Sequence, residues 1–220
     1  MSESDDWFER IWKHREEVLY PQLFGSEFEG IFTIPWQRLE TGQLSDPRWA
    51  TCGVFRFSPT KQRSSWLYVS SGLSNAWFDD KPDAANVSGF GCEITLEALN
   101  CADWPIHRLH QLMVYQIGLC VGKYPGHGAL GSGCRVPFGS PIDFHTSRLE
   151  FGILVDPPLF SRQFEQESGV AEFLQLVGIS ETERDFAKSN GNGSLEDWLR
   201  TNTCYPVTDP HRQEILSKAD

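Results

Sequence analysis

Two stretches near the middle of the chain decide its fold. Residues 66–74 read WLYVSSGLS, and residues 88–96 read SGFGCEITL. Both combine β-branched and aromatic residues with flanking glycine and serine, a composition typical of strands that end in tight turns. Around the second stretch, apolar residues alternate with Glu93, Thr95 and Glu97, which predicts a half-exposed strand with solvated carboxylates.

Hydrophobic periodicity predicts further elements on both sides of these stretches. A helix is expected over residues 5–20, with Ser4 as its cap and Pro21 at its end. A longer helix is expected over residues 104–121, capped by Asp103. The predicted strands are residues 30–34, 51–57, 66–71, 91–96 and 151–155.

The end of the chain is predicted to be helical. Ser180 with Glu183, and Ser194 with Asp197, have the spacing of capping boxes, and Asp209 precedes a proline that suits a helix start. These signals predict three short helices after the last strand.

The order of these elements indicates the fold class. Strands mostly precede the main helix instead of alternating with helices, which favours an α+β fold. The chain, residues 1–220, is predicted to form a single domain. It divides into an N-terminal helix (1–25), a sheet with the main helix (30–160) and an acidic helical tail (165–220) packed on the same domain.

Composition limits the partners and the compartment. There are 19 lysines and arginines against 30 aspartates and glutamates, a formal net charge of −11, so we expect no nucleic-acid partner. The first twenty residues lack the apolar core of a secretory signal, and no run is long enough for a membrane span. We therefore expect a cytoplasmic protein whose six cysteines are reduced.

Three groups of residues have side chains suited to cofactor binding, metal binding or catalysis, but each lacks the neighbouring sequence features that such a site requires. Residues 126–131, GHGALG, match a dinucleotide-binding pattern, but a helix precedes them where a strand is required. His107 and His110 lie one helical turn apart without the further ligands of a zinc site. Cys134 and His145 have the residue types of a thiol nucleophile site, with His127 and Asp143 also near in sequence. We predict no catalytic, metal or cofactor site.

The segment after the first stretch is a candidate for binding a partner. It places Trp77 and Phe78 directly before Asp79 and Asp80 in a predicted loop. A tryptophan on a loop either packs into the core or makes a central contact with a partner, because it offers much apolar area at a low cost in rotamer entropy. The two acids are either solvated turn residues or contacts for a basic partner.

In these residues the sequence resembles the suppressor-of-fused domain family. The resemblance extends over about residues 30–214 and is strongest in the strand, turn and strand of residues 66–74 and 88–96. Further matches are Trp104-Pro105 at the start of the main helix and residues 173–179, 195–200 and 207–212.

The resemblance implies an α+β domain with a mixed sheet flanked by helices and no catalytic residues. Animal members sequester a transcription factor, and many short bacterial members are thought to be immunity proteins that neutralise a cognate toxin. Pairwise matching places Trp77 where the animal protein has a tyrosine near its peptide site.

These observations lead to one main hypothesis and two alternatives. The main one is a non-enzymatic bacterial immunity protein whose acidic surface occludes a basic toxin, with Trp77, Phe78, Asp79 and Asp80 or the acidic C-terminal third as the contact face. The first alternative is a regulatory scaffold that holds an extended peptide of a partner protein against a sheet edge. The second is a hydrolase or metal-dependent enzyme that uses Cys134 and His145 or the histidine pair.

Overall fold

An eight-stranded mixed sheet organises the protein, in a computed structural model that describes residues 3–77 and 86–214, with side chains from Trp7 onward. The strand order is β1-β2-β3-β4-β8-β6-β5, and β7 pairs with β8 beside β6. β4 and β8 run parallel, and the other neighbours are antiparallel. The strands are β1 (Phe28–Thr33), β2 (Gly53–Phe57), β3 (Trp66–Ser71), β4 (Val87–Ala98), β5 (Arg135–Pro137), β6 (Phe151–Val155), β7 (Gln163–Gln166) and β8 (Gly169–Ile179).

Helices cover both faces of this sheet, which confirms the predicted α+β fold with a mixed sheet. A short 3-10 helix (Pro47–Thr51) precedes β2, and a π-helical turn (His14–Leu19) joins the first two helices into one rod. In the described residues the α-helices are α1 (Glu3–Lys13), α2 (Tyr20–Phe24), α3 (Trp36–Thr41), α4 (Trp104–Cys120), α5 (Glu181–Asn190) and α6 (Asn192–Asn202).

Each face of the sheet has its own apolar core. On one face, α4 packs on side chains that include Ile94 and Leu96 of β4. On the other face, Tyr20 and Phe24 of the N-terminal rod meet an aromatic cluster around Phe173 of β8. The alternating residues of β4 from Cys92 to Ala98 therefore face two covered layers, and neither side of this part of the strand is open to solvent.

The N-terminal rod continues beyond its predicted end. Pro21 does not terminate it: the proline lies in the first turn of α2, directly after the π-helical turn, and the backbone stays helical through it. The rod ends instead at Gly25, whose φ of 107° is one that other residues rarely adopt. The predicted cap Ser4 lies before the first described side chain.

The C-terminal third is less helical than predicted. The acidic helical tail assigned to residues 165–220 contains β8 in the middle of the sheet, and helix begins only at Glu181. The apolar run of β8 is buried on both faces, and periodicity alone does not distinguish such a strand from a buried helix.

Two of the predicted helix caps in the last third are also corrected. Ser180 and Glu183 form the predicted capping box. Ser194 lies inside α6 and donates to the Asn190 carbonyl, so it caps nothing. After Asp209 the described residues form a turn and not a helix. The preceding Thr208 instead forms a parallel bridge with the end of β4.

The main helix α4 has the predicted start without the predicted cap. Asp103 makes no capping hydrogen bond, and its carboxylate pairs with Arg56 of β2 at 3.2 Å. Pro105 in the first turn supplies the preorganised φ that a helix start favours.

The glycine of the Ser-Gly-Phe-Gly motif allows a close approach of two chain segments. Residues 88–91 bulge out of the pairing between β4 and β8. Gly89 has a φ of 57°, and a Cβ atom there would lie 2.2 Å from the Asn75 carbonyl oxygen. The Phe90 N–H then donates to the Leu73 carbonyl at 2.7 Å, which holds β4 against the turn that follows β3.

We therefore expect Gly89→Ala to lower the free energy of unfolding by about 2 kcal/mol or more, because it adds a clash to an unfavourable φ. Chemical denaturation measures this change. Gly128→Ala is the matched control, since its added Cβ would meet nothing within 4 Å, and its effect should stay within about 0.5 kcal/mol. Equal stability of the two variants would contradict this account of the motif.

Candidate functional site

A buried carboxylate lies where strands β3 and β4 separate. Glu93 and Glu97 are 0% and 1% exposed, so the prediction that they are solvated is wrong. The face of β4 that carries them is covered by the N-terminal rod and the segment before β3, a packing between distant parts of the chain that alternation within one strand does not reveal. Ser65 donates to Glu97, and burial raises the pKa of the Glu97 carboxyl.

The Glu93 carboxylate takes the place of missing backbone pairing. The ladder between β3 and β4 extends only to Val69 and Thr95. Beyond it, Glu93 Oε1 accepts from the Gly72 N–H at 3.0 Å and from the Ser74 N–H at 2.9 Å. Its Oε2 accepts from the Ser70 hydroxyl at 2.5 Å. The Glu93 side chain therefore accepts hydrogen bonds from backbone N–H groups of the turn after β3, which have no partner on the neighbouring strand.

Arg15 supplies the countercharge from the N-terminal rod. Its side chain is fully buried, and its Nε lies 3.8 Å from Glu93 Oε1. It donates to the hydroxyls of Ser71 at 2.8 Å and Ser74 at 3.2 Å. Burial lowers the pKa of Arg15, but the surrounding acidic groups, Glu93 first among them, together outweigh burial and raise it overall. We call Arg15, Ser70, Ser71, Ser74 and Glu93 the Arg15–Glu93 cluster.

The π-helical turn directs two consecutive side chains towards the sheet. The Tyr20 N–H donates to the Arg15 carbonyl, five residues back, which widens the helix at this point. Glu16 consequently faces inward beside Arg15, and its Oε1 accepts from the Ser71 hydroxyl at 2.5 Å. Burial raises the pKa of the Glu16 carboxyl. Such π-helical turns are frequent at functional sites.

Residues of β4 and β7 complete the support of the turn after β3. Ser88 Oγ donates to the Ser74 carbonyl at 2.8 Å, and Gln166 Nε2 donates to the same oxygen at 3.0 Å. Gln166 Oε1 also accepts from Arg15 at 3.5 Å. Three separate segments of the chain, the N-terminal rod, β4 and β7, thus hold residues 71–77 in one position.

Trp77 lies in the core at the end of this turn. It is 5% exposed, and its indole N–H donates to the Gly72 carbonyl at 2.8 Å. Its ring contacts Phe8 of α1 at 5.1 Å and Phe90 at 6.4 Å between centroids. The predicted neighbours Phe78, Asp79 and Asp80 lie outside the described residues. A direct partner contact by Trp77 stays a prediction.

Two of the cavities among the described residues lie beside the sheet. One of about 230 Å³ lies beneath the N-terminal rod, next to the Arg15–Glu93 cluster, and is lined by Phe8, Trp12, Glu16, Ile31, Thr51, Gly72 and Asn75. Another, of about 610 Å³, lies at the far end of β4, where Trp104, His107, His145 and His211 line it together with Asp143.

The residues singled out for metal or nucleophile chemistry do not form such a site. His110 is buried, and its Nε2 donates to the Phe32 carbonyl at 2.7 Å, so this ring packs as part of the helix core. The Asp143 carboxylate accepts from three backbone N–H groups, those of residues 145–147. In the described part of the chain, no three His, Cys, Asp or Glu residues are grouped as metal ligands, and no hydrogen bond joins the Cys134 thiol to an imidazole.

Two further features of the structure concern dinucleotide binding and membrane insertion. The loop that contains residues 126–131 follows helix α4, so it lacks the preceding strand that dinucleotide binding requires. Every helix among the described residues is too short or too polar to cross a lipid bilayer.

The fold is an α+β domain in which a buried charged cluster supports the turn after β3. Residues 48–213 match the family model described as suppressor of fused protein. The chain belongs to this family. Members are known as protein-binding scaffolds and not as enzymes.

Solved structures of similar fold support this assignment. The Sufu–Fu complex shares 20% identity at a TM-score of 0.65, covering 94% of this chain and 91% of the other. A putative SUFU homolog from Neisseria gonorrhoeae FA 1090 shares 19% identity at 0.64, covering 98% and 100%. Drosophila Suppressor of Fused shares 20% identity at 0.59, covering 74% of this chain and 42% of the Drosophila protein. A comparison with curated proteins found no match.

Sequence reasoning missed the Arg15–Glu93 cluster, although one signal for it was present. Trp7, Ile11 and Arg15 follow each other at four-residue steps, which places the arginine on the apolar face of the predicted helix. An arginine on that face requires a buried partner. The identity of the partner, Glu93, depends on packing between distant segments.

We expect Arg15→Met and Glu93→Gln each to lower the free energy of unfolding by about 3–5 kcal/mol, because each leaves one buried charge without its partner. The double variant should cost less than the sum, and a double-mutant cycle by chemical denaturation measures that difference. Arg10→Met is the control, since its partner Glu167 is more than half exposed, and it should cost less than about 1 kcal/mol. A strictly additive cycle would contradict the pairing.

Burial makes the stability of the protein depend on the protonation of His110. Burial lowers the pKa of its imidazole from 6.5 to about 4, so the folded state holds it neutral while the unfolded state protonates below pH 6.5. Stability is therefore lost as the pH falls from about 6.5 towards 4. Between pH 7 and pH 5 the wild type should lose about 2 kcal/mol more than His110→Gln, measured by denaturant titration.

The exposed His107 provides the matched control for this pH dependence. His107→Gln changes a histidine of the same helix and should retain the wild-type pH profile. If His107→Gln flattened the profile as much as His110→Gln, the effect would not originate from burial of His110.

Proposed function

We propose that this protein is an immunity protein that neutralises a cognate basic toxin by occluding its substrate groove. The observation that carries the proposal is the Arg15–Glu93 cluster, which holds residues 71–77 in one position directly before the segment 78–85. Because residues 71–77 are already fixed, segment 78–85 starts from a defined position. This lowers the entropy cost when that segment binds a partner.

The family supports the protein-binding part of this proposal. One solved structure of similar fold is a Sufu–Fu complex, so a member with this fold binds another protein. The Neisseria homolog matches almost the whole of both chains, so the fold of this chain also occurs in a bacterial protein. An immunity protein would act in the bacterial cytoplasm.

Electrostatics supports the choice of a basic partner. The net charge of −11 favours rapid encounter with a cationic protein. Toxins that cleave nucleic acids carry cationic grooves because they hold phosphate, so an acidic inhibitor competes directly with substrate. Mutual attraction of this type weakens as salt is added.

The contact residues proposed are Trp77, Phe78, Asp79 and Asp80. Trp77 is packed between Phe8 and Phe90, and in this proposal it fixes the start of the segment while the two acids meet the toxin. The acidic C-terminal third, which includes Asp185 and Asp197, is the alternative face.

A second function, regulatory binding of an extended peptide, is favoured by one observation. Strand β1 (Phe28–Thr33) lies at an edge of the sheet, and Phe28 on it is 40% exposed. An edge strand can pair with an extended segment of another protein. The described residues contain no arrangement that favours the hydrolase alternative.

The test uses the product of the adjacent reading frame, expressed as an inactive variant and titrated by calorimetry. We expect a one-to-one complex, and we expect Asp79→Lys with Asp80→Lys to weaken it by at least about a hundredfold. Raising the salt from 50 to 500 mM should weaken the wild-type complex as well.

Asp185→Lys with Asp197→Lys is the matched control, because it changes the charge by the same amount on the alternative face. If that pair of substitutions caused the larger loss, the C-terminal third would be the contact face. Absence of binding to a folded toxin, together with binding of an extended peptide, would replace the proposal with the scaffold function.

A further inference from the structure

The 230 Å³ cavity beneath the N-terminal rod has the features of a site for one cationic side chain. Trp12 and Phe8 of α1 form aromatic walls, and Ile31 of β1 adds an aliphatic surface. Aromatic faces attract cations, and apolar walls suit the methylene stem of a long basic side chain. The volume suits a single side chain and is smaller than the 300–1,000 Å³ or so of pockets for drug-sized ligands.

Glu16 places an acceptor for a cation on the wall of this cavity. Its Oε1 already accepts from Ser71, and across residues 3–77 and 86–214 its Oε2 accepts no hydrogen bond. The side chain is 16% exposed, so most of it is removed from water. Burial raises the pKa of this carboxyl, which means that an approaching cation would stabilise its ionised form.

Asn75 adds a second polar group to the same cavity. It is 5% exposed, and within the described chain its Oδ1 is buried without a hydrogen-bond partner. A buried acceptor that is left unpaired is unfavourable, so a donor that entered here would remove an existing cost. The cavity thus combines two oxygen acceptors with aromatic and aliphatic walls.

The larger cavity at the far end of β4 lacks this combination, because its carboxylates are already engaged. Asp143 accepts from three backbone N–H groups, Asp103 pairs with Arg56, and Asp209 accepts from the His211 N–H. A cation that entered there would compete with each of these contacts.

We propose that the cavity lined by Trp12, Glu16 and Asn75 binds a lysine or arginine side chain of a protein partner. The ammonium or guanidinium group donates to Glu16 Oε2, and its stem lies along Phe8, Trp12 and Ile31. This inference rests on the proposed function for the basic character of the partner, and the cavity itself can be tested without that partner.

The test follows the Trp12 indole N–H by NMR during titration of the full-length protein with Nα-acetyl-lysine methylamide. We expect saturable shifts with a millimolar dissociation constant. Nα-acetyl-norleucine methylamide, which lacks the ammonium group, should bind at least about fivefold more weakly. Glu16→Gln should weaken lysine-analogue binding by a similar factor, while Glu17→Gln, on the exposed side of the same turn, should leave it within about twofold.

A thermal melt of each variant checks that the fold is retained, and Trp12→Leu provides a second variant that should also lose binding. Equal affinity for the two analogues, unchanged affinity of Glu16→Gln, or shifts at Trp104 instead of Trp12 would overturn the inference. Binding of the lysine analogue without binding of the adjacent-frame toxin would reject the proposed function and retain the site. Toxin binding that Glu16→Gln does not weaken would reject the site alone.

Discussion

The Glu93 carboxylate is the interaction on which the middle of this structure depends. Strands β3 and β4 stop pairing at Val69 and Thr95, and a split sheet normally leaves backbone N–H groups without partners. Glu93 accepts from two of these N–H groups and from two serine hydroxyls, so a buried side chain supplies the acceptors that strand pairing would have supplied. The turn at residues 72–77 therefore has one low-energy position although it belongs to no strand or helix.

Burial of the Glu93 carboxylate requires the N-terminal rod. A buried carboxylate needs a countercharge, and Arg15 reaches it from a segment almost eighty residues away in sequence. The π-helical turn that directs Arg15 inward brings Glu16 with it, so one local distortion supplies both the cation of the cluster and the anion on the cavity wall. The cluster thereby couples the position of the rod to the position of the turn.

Sequence analysis recovered the elements whose signals are local. β3 and β6 match their predicted bounds, α4 ends one residue early, and the Ser180 capping box is present. It failed where burial depends on distant segments. β8 is buried on both faces, and the carboxylates of β4 are covered by the rod and by the segment before β3. Alternation within a strand shows that two faces differ, but not that both are covered.

The position of Glu16 links the buried cluster to the surface that a partner can reach. Its Oε1 accepts from Ser71, which also accepts from Arg15, and the same side chain lines the cavity. A cation bound to Oε2 would strengthen the ionised form of Glu16 and, through Ser71, the position of the turn that leads to residues 78–85. By linkage, a partner that binds the following segment and favours the same position of the turn would raise the affinity of the cavity for the cation by the same factor. The cavity and the segment that follows the turn would then bind one partner cooperatively.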